Sequence, residues 1–133
     1  MKIKVLLVIA WSLILLTHTL TNDLGELLRN RSVYFSLDPN PNFRSFFYLT
    51  DIALIHQFFI IVKLGHFFGF AVLDFLLFNL TRSHRKSILL SLSMAILTEV
   101  LQLFFGRDGR LYDIVIDGMG ILLVYWWLRK VQR

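Results

Sequence analysis

Apolar residues run almost unbroken through four stretches of the chain, near residues 5–20, 58–80, 88–105 and 111–128, and polar residues collect between them. Each stretch is about long enough to cross a ~30 Å hydrocarbon core as an α-helix, the last two by a small margin. A buried helix of a soluble bundle would explain any one run, but four in 133 residues leave too little polar sequence for a water-soluble shell. The pattern predicts an all-α, polytopic membrane protein, one domain over residues 1–133 built as a four-transmembrane-helix bundle.

The long connection over about residues 21–57 has its own punctuation. Asp23 followed by Glu26 predicts a capping box for a short helix through Leu24, Leu27 and Leu28. Asp38-Pro39-Asn40-Pro41 reads as a turn. From Phe46 to His56 apolar residues return around Asp51, as expected of a segment that lies along the membrane interface or extends the second helix.

Charge then orients the helices. Lys2 and Lys4 precede the first run, Arg82, Arg85 and Lys86 separate the second from the third, and Arg129, Lys130 and Arg133 end the chain. Basic clusters of this kind stay on the cytoplasmic side, so both termini are expected inside and the long loop between helices 1 and 2 outside. The outer loops carry arginines too, but interleaved with Asp and Glu. Trp126 and Trp127, just before Arg129, suit an inner aromatic belt. The net charge of +5 is thus spent on topology instead of a nucleic-acid patch. A secretory signal competes for the first run, although Thr17 and Thr19 make a poor cleavage site. Cysteine is absent, which excludes disulfides, a thiolate nucleophile and zinc-thiolate sites.

Against that apolar background stand Lys63 and His66 in the second run, Glu99 and Gln102 in the third, and Asp113 and Asp117 in the fourth. Ionisable groups at membrane depth are costly and are tolerated where they pair or face a cavity. The predicted topology brings all six to the outer half of the membrane. Lys63, His66, Phe70 and Asp74 share one helical face, as do Glu99 with Gln102 and Asp113 with Asp117. A bundle that turns these stripes inward is the least costly arrangement.

Three roles compete for Lys63: snorkelling to the headgroups, a buried ion pair with Glu99 or Asp117, and contact with an anionic lipid group. His66 beside it is a candidate proton carrier or donor to an anionic head group. Arg107 and Arg110 offer a phosphate clamp, with local Arg to Asp pairing in a solvated turn as the plainer reading. Gly118 and Gly120 permit close helix approach. A metal site drawing on His18, His66, Glu99 and the aspartates lacks any in-helix ligand spacing such as His-x-x-x-His, so no metal or other cofactor is expected. The order Asp117-Gly118-Met119-Gly120 is wrong for an intramembrane aspartyl protease. Ser91 and Ser93 lie toward the cytoplasmic side, away from the other polar groups, and no nucleophile elbow surrounds them.

Lys63-x-x-His66-Phe67, then Glu99-x-x-Gln102, then Gly106-Arg107 leading to Asp113-x-x-x-Asp117-x-x-Gly120 form an ordered set that resembles the VanZ-like family of small bacterial membrane proteins. The likeness is strongest over the last seventy or so residues. Asp117 stands where many members carry Asn. The resemblance implies a multi-pass protein of the bacterial cytoplasmic membrane and cell envelope, with teicoplanin resistance as the phenotype associated with the family's founding member.

The functional expectation is an envelope protein without an established reaction. Its outer polar pocket of Lys63, His66, Glu99, Gln102, Arg107, Asp113 and Asp117 engages an anionic lipid-linked or amphiphilic ligand. Membrane lipids are the expected partners, and nucleic acid is not. An enzyme acting on lipid or cell-wall precursors, with Glu99 or His66 as acid or base, is the alternative. A proton- or ion-coupled carrier ranks third, because only Asp74 continues the polar face inward.

Overall fold

The computed structural model describes residues 1–21, 24–50 and 57–132. Four long helices carry the architecture: α1 (Lys2–Leu20), α3 (Gln57–Thr81), α4 (His84–Phe104) and α5 (Leu111–Val131). All four are long and apolar enough to cross a membrane, and the described residues contain no strand. A short helix, α2 (Leu24–Asn30), and a 3-10 turn (Phe43–Phe47) lie in the connection between α1 and α3. Glu26 accepts a hydrogen bond from the Asn30 amide inside α2, whereas Asp23, its expected capping partner, lies outside the described residues, as do Asp51 and His56.

Polarity is distributed inside out relative to a water-soluble protein. On α5, Asp113 and Asp117 are 2% and 0% exposed while Val115 and Met119 are 60% and 56% exposed. Leu6, Ile9 and Leu13 of α1 and Leu89, Leu90 and Leu97 of α4 likewise face outward. In water such a surface would aggregate; in lipid it costs nothing, and the buried polar atoms are the ones that need partners.

Helix α3 is the hub, packed against α1, α4 and α5. It meets α5 tightly where Gly120 faces the Phe67 carbonyl: a Cβ on Gly120 would sit 2.1 Å from that oxygen. Gly69 lets the Leu15 side chain of α1 lie against α3 in the same way, at 2.7 Å from a would-be Cβ. Gly118 makes no such approach, since nothing lies within 4 Å of its added Cβ; it is one step off the buried stripe. Leu15, Phe70, Leu73, Leu77, Ala95 and Ile121 form the apolar core.

The turns explain the observed boundaries. Helix α4 starts at His84 instead of near residue 88, because Ser83 caps it and its hydroxyl accepts from the Lys86 N–H. The expected start followed the first apolar residue, and a helix does not need one to begin. At the other end Gly106 adopts φ 62° and the Arg107 N–H bonds to the Gln102 carbonyl at 2.8 Å, a Schellman closure. At Asp38 the carboxylate accepts from the Asn40 N–H at 2.9 Å, fixing the expected turn.

Chain direction and these turns give the bundle two ends. One holds Met1, the Arg82-Ser83 turn and the C-terminal helix end, and Lys4 there bonds to the Asn79 carbonyl at 3.0 Å. The other, the loop end, holds the α4–α5 loop and the long connection. The connection caps this end: the Asp38 N–H donates to the Phe104 carbonyl at 2.7 Å, and Phe35 and Phe43 pack edge-on against Phe105 and Phe104.

Candidate functional site

The register of the helices decides which polar residues meet. Helices α3 and α5 run in the same direction from the loop end, and α4 runs against them. Lys63 and Asp113 occupy one level, with Lys63 Nζ donating to Asp113 Oδ2 at 2.7 Å. One turn deeper, His66 Nδ1 lies 3.3 Å from Asp117 Oδ1 and 3.5 Å from Glu99 Oε1. The expected partners of Lys63, Glu99 and Asp117, are taken by His66 because they sit at its level. The phenyl ring of Phe59 and the phenol ring of Tyr112 close over the Lys63 ammonium, at 4.9 and 4.8 Å from their centroids.

Glu99 is fully buried, and its two oxygens are treated differently. Oε2 accepts the Arg110 N–H at 2.9 Å, while Oε1 faces His66. The α4–α5 loop reaches Glu99 because Gly109 lacks a side chain: a Cβ there would lie 2.1 Å from the Glu99 carbonyl oxygen. Gln102, 3% exposed, completes the inward face of α4.

The two loop arginines are used as straps. Arg107 donates to the Thr21 carbonyl at the end of α1. Arg110 donates to the Ser45 carbonyl at 2.8 Å and to Asp108 at 3.0 Å, with only 8% of its side chain exposed. The expected local Arg to Asp pair is therefore present, between the buried Arg110 side chain and an Asp108 side chain that is 84% exposed. Sequence reasoning gave no role to Gly109 or to the Arg110 N–H; the spacing Gly106-x-x-Gly109 was the available signal.

A second polar level lies deeper. The Ser91 hydroxyl donates to Asp74 Oδ1 at 3.2 Å, and both residues are fully buried. Asp74 stands eight residues beyond His66 and Ser91 eight before Glu99, so one antiparallel register, about 12 Å longer, produces both pairs. Phe70, Ala95 and Ile121 fill the layer between them. Ser91, set apart from the other polar groups by sequence reasoning, belongs to this polar ladder.

Between α1 and α3 runs a groove of about 330 Å³, open to the side and apolar for most of its length. Trp11, Leu15, Ile61, Phe68 and Val72 are among its walls. The indole N–H of Trp11 bonds to the Gly69 carbonyl at 2.9 Å, which holds one wall in place. The polar part of the lining, His18, Thr19, His66 and Arg107, lies toward the loop end, where Ile61 and Val62 of α3 are also among the walls. Among the described residues of the buried cluster, His66 is the one that also lines the groove. Helix α1 was legible as a membrane span, but nothing in its sequence marked it as half of a groove.

Comparison with known proteins agrees with this architecture. The VanZ/LLP1 family model matches residues 3–132. An uncharacterized membrane protein of Bacillus subtilis (strain 168), YwnJ, is 35% identical over 122 residues, covering 90% of this chain and 86% of its own. No solved structure matches the chain. With a family model spanning almost its whole length and a membrane-protein relative aligned along most of it, this chain belongs to the VanZ/LLP1 family.

Proposed function

We propose that this membrane protein binds an anionic amphiphile, with its hydrocarbon chain in the α1/α3 groove and its head group at the loop end beside His18, His66 and Arg107. The observation that carries this reading is the groove's own gradient, apolar along the chain and polar at one end, with His66 joining it to the buried cluster. A lipid-type ligand satisfies both parts at once: its chain replaces bulk lipid against Phe68 and Val72, and its head group meets donors. Lys63 is a positioning residue here, held by Asp113 and covered by two rings, and it fixes the level at which His66 stands.

The topology that fits the reading has both termini in the cytoplasm and the loop end at the outer leaflet, in the bacterial cytoplasmic membrane. Lipophilic glycopeptides and the lipid-linked precursors of the envelope then approach the same end. Expression of the wild type is expected to lower sensitivity to teicoplanin, and Lys63→Ala or Glu99→Gln to abolish the effect; equal sensitivity in all three strains contradicts the link to the polar cluster.

Gly65 supplies the direct test. It lines the groove, and nothing lies within 4 Å of its added Cβ, so Gly65→Leu introduces a side chain at the groove with no clash at its Cβ. Wild type purified in mild detergent retains a defined lipid by native mass spectrometry, and Gly65→Leu loses at least tenfold of that occupancy. Equal occupancy in both proteins overturns the reading.

A second reading, acid–base chemistry on the bound head group, is favoured by one feature: the His66 imidazole stands between two carboxylates and also lines the groove. It predicts a chemically altered lipid in extracts of expressing cells, whereas a binder changes only the distribution of existing species.

A further inference from the structure

Helices α3, α4 and α5 each send one metal-ligating side chain to the same buried level. His66, Glu99 and Asp117 offer ligand atoms that all lie within 4.8 Å of one another. Two of the three separations, 3.3 and 3.5 Å, already match those between neighbouring ligands around an ion that binds each at about 2.0–2.2 Å.

The polar atoms at this level lack ordinary partners. His66 Nδ1, Glu99 Oε1 and both Asp117 oxygens are buried and make no hydrogen bond of normal geometry, and the two carboxylates are 0% exposed. Buried polar groups are rarely left in that state. Glu99 is already oriented for ligation: the Arg110 N–H fixes Oε2, and Oε1 is the atom turned toward His66. A hydrogen bond that fixes one oxygen of a carboxylate while the other ligates is a common supporting contact at metal sites.

Charge leads to the same place. The Lys63 ammonium is matched to Asp113 one turn away, and the Arg110 guanidinium is directed to Ser45 and Asp108. Glu99 and Asp117 thus bring two carboxylates to one imidazole, and both carboxylates are fully buried. One divalent cation balances two carboxylates. A donor set of one imidazole and two carboxylates suits a first-row ion such as Zn²⁺ or Mn²⁺ better than the all-oxygen shells of Mg²⁺ or Ca²⁺.

We infer that His66, Glu99 and Asp117 bind a divalent first-row metal ion at the centre of the bundle. The site does not require an amphiphile in the groove, although His66 links the two. No in-helix ligand spacing advertises it, since each ligand comes from a different helix.

The experiment uses full-length protein carrying no polyhistidine tag, stripped with chelator, equilibrated with ZnCl₂ or MnCl₂ and desalted before elemental analysis. Wild type and Gly65→Leu retain one ion per chain; Glu99→Gln and Asp117→Asn retain at least tenfold less. If those variants fail to fold, wild type alone decides the matter through the visible absorption of its Co²⁺ form, which must show ligand-field bands of a site containing nitrogen. Wild type that retains no ion, retains as much as both variants, or gives the spectrum of aqueous Co²⁺ overturns the inference. An ion-free wild type that still loses its lipid on Gly65→Leu overturns the metal site and leaves the amphiphile reading standing.

Discussion

A lysine ammonium 2.7 Å from a carboxylate, beneath two aromatic rings, is a pair whose halves depend on each other. Removing one partner of a buried ion pair strands the other, at a cost of up to about 3–5 kcal/mol, reduced here because the Lys63 side chain keeps 17% exposure. Lys63→Met is therefore expected to melt earlier in detergent, and Lys63→Met with Asp113→Leu to recover most of the loss. A double variant as unstable as the single one would mean that the pair adds little. Gly106 offers a second check at this scale. Its φ of 62° suits glycine, so Gly106→Ala should destabilise by about 1–2 kcal/mol, read as a lower melting temperature.

At the scale of elements, glycines separate contacts that sequence spacing could not. Gly118 and Gly120 share a sequence pattern, yet only Gly120 touches α3. Gly120→Ala must push the Phe67 carbonyl away and should cost at least the ~1–3 kcal/mol of overpacking. Gly118→Ala should be neutral or gain up to about 1 kcal/mol of helix propensity. Thermal melting of the two variants side by side checks both, and equal shifts would contradict the packing described. The four spans and the inward polar stripes were legible because hydrophobicity and the 3.6-residue period are properties of single segments. The pairing of Lys63 with Asp113 was not, because interhelical register depends on where Gly120 lets α5 settle. The groove was hidden for the same reason: it belongs to two helices, and neither α1 nor α3 carries it alone.

The whole molecule is an apolar shell around a polar ladder, capped at one end by a strapped connection. The start of α1 and the end of α5 lie at the same end of the bundle, and the proposed topology puts both in the cytoplasm. The absence of cysteine makes that testable with single introduced thiols. In intact cells a membrane-impermeant maleimide should label Asn40→Cys and spare Gln132→Cys until the membrane is permeabilised; the reverse pattern would invert the proposed orientation. The proposed binding site in the α1/α3 groove must hold a lipid more firmly than the rest of the lipid-facing surface does. Its most direct test is photocrosslinking in proteoliposomes with a phosphatidylglycerol analogue bearing a diazirine in one acyl chain, followed by peptide mapping. Adducts should concentrate on Leu15, Ile61, Gly65 and Phe68, well above Val115 and Met119 of α5, which are at least half exposed. Labelling spread evenly over the groove and the outer face of α5 would contradict the account.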